Sequence, residues 1–249
     1  MGKSGDNPYH IRPLRRCDRQ AVRHICVATC WMGDYRPEMI PDEWLWAEYW
    51  TRYFTDRESG LSCVAIQTGA TPAQPVEARR CNNSGRRGGA PVPPRSGDVV
   101  GYLTGTADVR RFEAYTPCLL GPVVARVIRR RLISRPKPRR ALLAFARSAL
   151  RGELSMPPAL LRDHPATWHF NLLPTARRQG LGSRMLSLFI TRLREMNVPG
   201  LHAQVISTNA ASIATCRRMG MRLLHASPLT AYQHIDPSPM QLQTWAMRL

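Results

Sequence analysis

Arg177-Arg178-Gln179-Gly180-Leu181-Gly182-Ser183 follows an apolar run ending at Leu173-Pro174 and opens a segment with helical patterning over 183–196. A strand, a basic glycine turn and a helix start, in that order, suit a phosphorylated ligand. Glycine carries no Cβ, so Gly180 and Gly182 let the backbone approach an anion closely. The first-turn N–H groups of a helix lack intrahelical acceptors, and the helix dipole adds partial positive charge at that end. Arg177 and Arg178 supply formal charge. A pyrophosphate is the expected ligand. No Gly-Lys-Ser/Thr follows at Walker spacing, and the third glycine of the dinucleotide fingerprint is missing. An ordinary loop that caps a helix is the alternative for this stretch alone.

The flanking sequence narrows the choice. Met185, Leu186, Phe189, Ile190 and Leu193 share one face of the expected helix. Residues 197–200 break it, and 201–206 alternate as a half-buried strand does. The chain then reads Ser207-Thr208-Asn209-Ala210-Ala211-Ser212-Ile213-Ala214-Thr215-Cys216-Arg217-Arg218-Met219-Gly220-Met221. The Arg-x-x-Gly-x-Gly spacing resembles the acetyl-CoA-binding motif of the GNAT superfamily of N-acetyltransferases. Asn209, Ile213 and Gly220 match that superfamily's second signature, with Gly220 ending a short helix.

Upstream, Ile11-Arg12-Pro13-Leu14, Asp18 and an amphipathic run through Ala21, Val22, Ile25, Ala28 and Thr29 resemble the superfamily's opening strand and helix. Val99-Val100-Gly101-Tyr102-Leu103-Thr104-Gly105 resembles its third strand. Trp168-His169-Phe170-Asn171-Leu172-Leu173-Pro174 is most similar to the acetyltransferase-like domains related to those attached to O-GlcNAc hydrolases. In that branch the strand reads His-Ile-Asp-Leu-Leu-Pro, so His169 matches and Asn171 replaces the Asp. The resemblance runs from Ile11 to Leu249 outside two insertions.

That resemblance implies one α/β (α+β) domain over 1–249, with a mixed, mostly antiparallel sheet that is flanked by helices and splayed at the cofactor site. Its expected activity is transfer of an acetyl group from acetyl-CoA, as co-substrate, to an amine by direct attack; no metal is expected. The cofactor residues carried over are Leu172, Leu173, Arg177, Arg178, Gln179, Gly180, Leu181, Gly182, Ser183 and Asn209. Backbone groups of Leu172 and Leu173 are expected to pair with the pantetheine arm.

Strand alternation puts His169, Asn171 and Leu173 on one face, and Trp168, Phe170 and Leu172 on the other. His169 is a candidate base or a structural histidine, and Asn171 can only position a group. Glu113, Asp108, His202 and His234 are weaker candidates. Many GNAT enzymes have a Tyr seven residues after the Asn, where this chain has Cys216, a thiol donor or a small buried hydrophobe. On the acceptor side, Trp31, Asp34, Tyr35, Glu38, Trp44, Trp46, Tyr49 and Trp50 suit a cationic or aromatic amine, unless the tryptophans serve as core. A degenerate domain that binds CoA or a partner without turnover is the competing reading.

The chain of 249 residues carries a net charge of +19. A field of that sign attracts anions. A solvated basic surface, CoA with an acidic acceptor, and nucleic acid compete to explain it, and no basic run interleaved with aromatics favours the last. No apolar run reaches membrane-spanning length, no secretory leader is read, and seven scattered cysteines suit reduced thiols. The expected setting is cytoplasmic, or else nuclear. The expected partner is a small-molecule or protein amine acceptor, with no membrane. Residues 69–97, rich in Pro and Gly, read as a disordered loop. Residues 117–161 read as a helical insertion whose central part holds ten basic and no acidic residues between Glu113 and Glu153.

Overall fold

The computed structural model describes residues 8–68 and 97–249. The loop expected over 69–97 therefore lies outside the described residues, apart from Gly97. Seven strands form one sheet in the order β1-β2-β3-β4-β5-β7-β6. They are β1 (Tyr9–Pro13), β2 (Cys63–Gln67), β3 (Val99–Thr106), β4 (Ala166–Leu172), β5 (Gly200–Ile206), β6 (Arg222–Pro228) and β7 (Gln241–Arg248). Every neighbouring pair is antiparallel except β4 with β5.

Helices cover both faces. On one side lie α1 (Arg19–Ala28) and α2 (Glu43–Asp56). Val22, Ile25 and Cys26 of α1 recur at helical spacing and pack with Leu14, Val64 and Tyr102. Helix α2 starts at Asp42, whose carboxylate accepts the N–H groups of Trp44 and Leu45 at 3.0 and 3.1 Å.

On the other side, α7 (Leu181–Glu195) buries Leu181, Met185, Leu186, Phe189, Ile190 and Leu193. The face read from the sequence is the buried face. The helix begins two residues before the expected start because Gly180, at φ +69°, is its N-cap. Close packing also explains Gly105 of β3. A Cβ there would stand 2.6 Å from the Phe189 ring and 2.8 Å from the Thr167 carbonyl oxygen.

The short helix α8 (Ala210–Arg218) is capped by Asn209, whose side-chain oxygen accepts the Ser212 N–H at 3.1 Å. Gly220, at φ +78°, closes it as expected. The insertion folds into α4 (Pro117–Arg129) and α5 (Pro136–Leu150), preceded by α3 (Val109–Tyr115) and followed by α6 (Pro158–Asp163).

Candidate active site

The sheet opens where the two parallel strands meet. β4 and β5 pair only at Ala166 with Leu201 and Thr167 with His202. Beyond that point β4 stays on β3 as far as Leu172, and β5 stays on β7 as far as Ile206. The facing edges from Trp168 and from Ala203 onward have therefore parted from each other. This is the splay expected at the cofactor end.

The register decides which backbone groups face that opening. The Leu173 N–H donates to Val100 O at 2.9 Å, and the Leu173 carbonyl accepts from Ala176 N–H at 2.9 Å. In an antiparallel ladder alternate residues direct both backbone groups to the same neighbour. Asn171 and His169 thus turn their backbone toward β3, while Trp168, Phe170 and Leu172 turn theirs toward the gap. This corrects the expectation for Leu173, whose two backbone groups are already bonded inside the protein. Phe170 stands on the gap edge in its place, one register step above Leu172.

At the end of β4 a short 3-10 turn, Pro174–Ala176, leads into the glycine turn. Arg178 and Gly180 both have left-handed backbone, at φ +61° and +69°. Glycine adopts that conformation freely, whereas Arg178 is held in it by the turn. No side chain caps α7, so the N–H groups of Gly180, Leu181, Gly182 and Ser183 begin the helix without intrahelical acceptors. Arg178, Gln179, Gly180 and Ser183 are exposed. A Cβ on Gly182 would come within 3.3 Å of the Phe170 ring, so this glycine serves the packing of α7 on β4.

Arg177 is placed differently from the expectation that it lends charge to the turn. Its Nε donates to Leu172 O at 3.1 Å, its Nη2 donates to Gly33 O, and its Nη1 lies 3.7 Å from Asp34. The guanidinium ties the α1–α2 loop to the end of β4. Nothing in the sequence marks Gly33 as its acceptor.

On the α1–α2 face of β4, the alternation read from the sequence holds. Tyr102 is fully buried, and its hydroxyl accepts the Asn171 amide N–H at 3.0 Å. The same hydroxyl lies 3.2 Å from His169 Nδ1 and against the Cys26 thiol. Burial, then the neighbouring Cys26, push the Tyr102 hydroxyl well above its ordinary value. Burial lowers His169 to about 4, and the Trp50 ring stacks on the imidazole at 5.0 Å. His169 is therefore neutral near pH 7. Tyr102 escaped the sequence reading as a site residue; its signal was a tyrosine in the middle of the Val99–Thr106 strand.

The remaining candidates are spread out. Cys216 is buried with Ala203, Val205, Met221 and Trp245, and burial lifts its thiol to about 11. A thiol in that apolar cluster has the surroundings of a packing residue. His202 is buried with Nδ1 at 2.6 Å from His164 O, and burial lowers it to about 4. His234 Nδ1 lies 2.9 Å from Ala231 O. Asp108 caps α3 and pairs with Arg110, and Glu113 is exposed.

Of the expected acceptor-side residues, Trp31, Trp46 and Trp50 belong to a connected arc of rings that packs on the core. From His169 it passes through Trp50, Trp46, Phe145 and Tyr232 to Trp31, with successive ring centroids 4.6 to 6.4 Å apart. Phe145 comes from the insertion and Tyr232 from the β6–β7 connection. Trp31 stands beside the loop that Arg177 holds. The arc thus leaves β4 at His169 and returns to it at Leu172 through Arg177. Among the described residues no group of three His, Cys, Asp or Glu side chains could hold a metal ion.

Residues 140–221 match the model of the acetyltransferase (GNAT) family. Among solved structures, SsHAT is 22% identical with a TM-score of 0.59, covering 96% of this chain and 98% of that one. The YncA protein of Salmonella typhimurium, solved with its cofactor acetyl-CoA, is 14% identical with a TM-score of 0.50, covering 98% and 95%. The polyamine N-acetyltransferase of Drosophila melanogaster, which forms N-acetylagmatine, is 13% identical with a TM-score of 0.53, covering 97% and 100%. The parted strands, the uncapped helix and the segment that matches the acetyltransferase (GNAT) family model thus lie in one place, and the chain shares the fold of these solved structures.

Proposed function

We propose that the protein is an N-acetyltransferase that moves an acetyl group from acetyl-CoA to an amine by direct attack. One observation carries the reading: the gap between β4 and β5 leads into an α7 N-terminus that no side chain caps. Unpaired backbone donors at a helix start fit a pyrophosphate, and an unpaired strand edge fits an amide-bearing arm. In this reading Gly180, Leu181, Gly182 and Ser183 hold the phosphates by backbone, with Arg178 and Gln179 at the exposed rim. Phe170 and Leu172 hold the pantetheine arm, and the Leu172 N–H faces the thioester oxygen. A fixed backbone donor suits charge that develops only during reaction. Asn209 serves by holding the start of α8.

The acceptor side favours an amine that reaches the site neutral. His169 with a pKa of about 4 is a weak base at neutral pH, and Asn171 cannot take a proton. The aromatic arc suits a small amine that bears a second, cationic group. We place the chain nearest the branch related to the domains attached to O-GlcNAc hydrolases, on His169 and the Leu172-Leu173-Pro174 ending of its strand.

Calorimetry with acetyl-CoA tests the cofactor site. A Gly180→Asp change puts bulk and negative charge beside the phosphates and is expected to raise the dissociation constant more than tenfold, about 1.4 kcal/mol. Unchanged affinity would mean the cofactor lies elsewhere, and no binding by the folded protein would end the enzyme reading. The buried Cys216 favours a second reading, a domain that binds acetyl-CoA without turnover. Thiol release on adding a panel of amines would exclude it.

A further inference from the structure

The insertion leaves an unusual surface outside the site. Half of the large hydrophobic side chains that are exposed among the described residues lie between Leu120 and Leu150. On α4 they form one stripe at four-residue spacing: Leu120, Val124 and Ile128 are 60%, 53% and 70% exposed. The opposite side of α4 is the anchored one, since Leu119 is buried and Arg126 pairs with Asp42 at 3.0 Å. The α4–α5 turn adds exposed Ile133, and α5 adds exposed Leu143 and Leu150, the last at 89%. Exposed Arg129, Arg130, Arg131, Arg135, Arg139 and Arg147 alternate with these side chains along the sequence.

We propose that the α4–α5 face docks on the surface of an anionic lipid bilayer. Apolar side chains protruding from a convex helix find in the acyl boundary a partner that needs no complementary groove. Arginine stems can lie along the same boundary while their guanidinium groups reach lipid phosphates. The absence of any acidic residue between Glu113 and Glu153 argues against a second copy of this chain, because two such faces would repel each other. Nucleic acid would use the arginines and leave the apolar stripe in water. Among the described residues no helix is long and apolar enough to cross a membrane, and surface docking requires none. The face therefore departs from the expectation of no membrane partner, which rested on spanning length. It stands apart from the acetyl-transfer reading.

Co-sedimentation of the full chain with vesicles of phosphatidylcholine, with and without phosphatidylglycerol, tests the proposal. Binding is expected only with phosphatidylglycerol. The double change Val124→Ser and Ile128→Ser keeps every charge and alters exposed positions. It is expected to raise the lipid concentration for half-binding about tenfold, with acetyl-CoA affinity unchanged. Leu188→Ser, at an exposed position of α7, should leave vesicle binding as it was. Equal binding by the double variant would overturn the proposal, leaving generic charge attraction. So would failure to bind vesicles, or tight binding of DNA at near-physiological salt that the double variant retains.

Discussion

Helix α7 and the α4–α5 insertion are both amphipathic, yet different interactions hold them in the fold. α7 buries six side chains against the sheet, and its Phe189 ring fills the space that Gly105 leaves open. α4 buries Leu119 alone, and α5 buries Ala141 and Ser148. The insertion adds specific polar ties to the packing of Phe145 and Leu154. Arg126 pairs with Asp42 and stands over the Trp44 ring at 5.4 Å. Glu153, just past α5, accepts the Ser148 hydroxyl at 2.6 Å and the Thr230 N–H at 2.7 Å. The α7 end of the sheet is thus built on apolar burial, which is insensitive to any single charge. The insertion is docked by these polar ties together with Phe145 and Leu154, which pack on the Tyr232 cluster, and its α4 stripe is left outward.

Substitutions that exploit this contrast should differ in size and in pH dependence. The largest effect is expected from Phe189→Ala, which removes a buried ring from the centre of the α7 interface and should cost about 3–5 kcal/mol. Urea unfolding measures it, and a loss below about 1 kcal/mol would deny α7 its place in the core. Glu153→Gln should cost about 2 kcal/mol, because a neutral amide replaces a buried carboxylate acceptor.

That change should also alter the pH dependence. Burial by itself would raise the Glu153 pKa, but the bonds from Ser148 and Thr230 and nearby Arg151 hold it below its ordinary value. A depressed carboxylate stabilises above its unfolded pKa, and that stabilisation is lost as pH falls through the folded value. The Glu153→Gln variant should lose stability less steeply than the parent below pH 4.5, the ordinary value for this group. Parallel curves would remove the carboxylate from the docking of the insertion.

The smallest expected effect is on rate. If neutral His169 takes part, activity should show no inflection at its ordinary value of 6.5 and should fall only as pH drops toward about 4. In the unfolded chain His169 gains its proton near 6.5, so its burial also weakens folding over the window from 6.5 down to about 4. A rate that halves near 6.5 in the parent, but not in His169→Gln, would mean that substrate binding raises the imidazole pKa.

Much of the α7–α8 region was legible before any fold was considered. The buried face of α7 and the Gly220 stop both depend on residues within four positions of one another. Helix period, missing Cβ atoms and capping chemistry can be read over that span. The strand alternation that brings His169 and Asn171 to one face is equally local.

What only the tertiary structure decided depends on partners far away in the chain. The β3 register makes Phe170 and Leu172, rather than Leu173, the residues whose backbone faces the gap. Arg177 was chemically suited to a phosphate, but the folded loop brings the Gly33 carbonyl to it from 144 positions away. Tyr102 became the hub of His169, Asn171 and Cys26 because two strands and a helix converge on one buried hydroxyl. A side chain's chemistry is set by its own atoms, whereas the group it meets is set by which backbone the fold brings within about 3 Å of it.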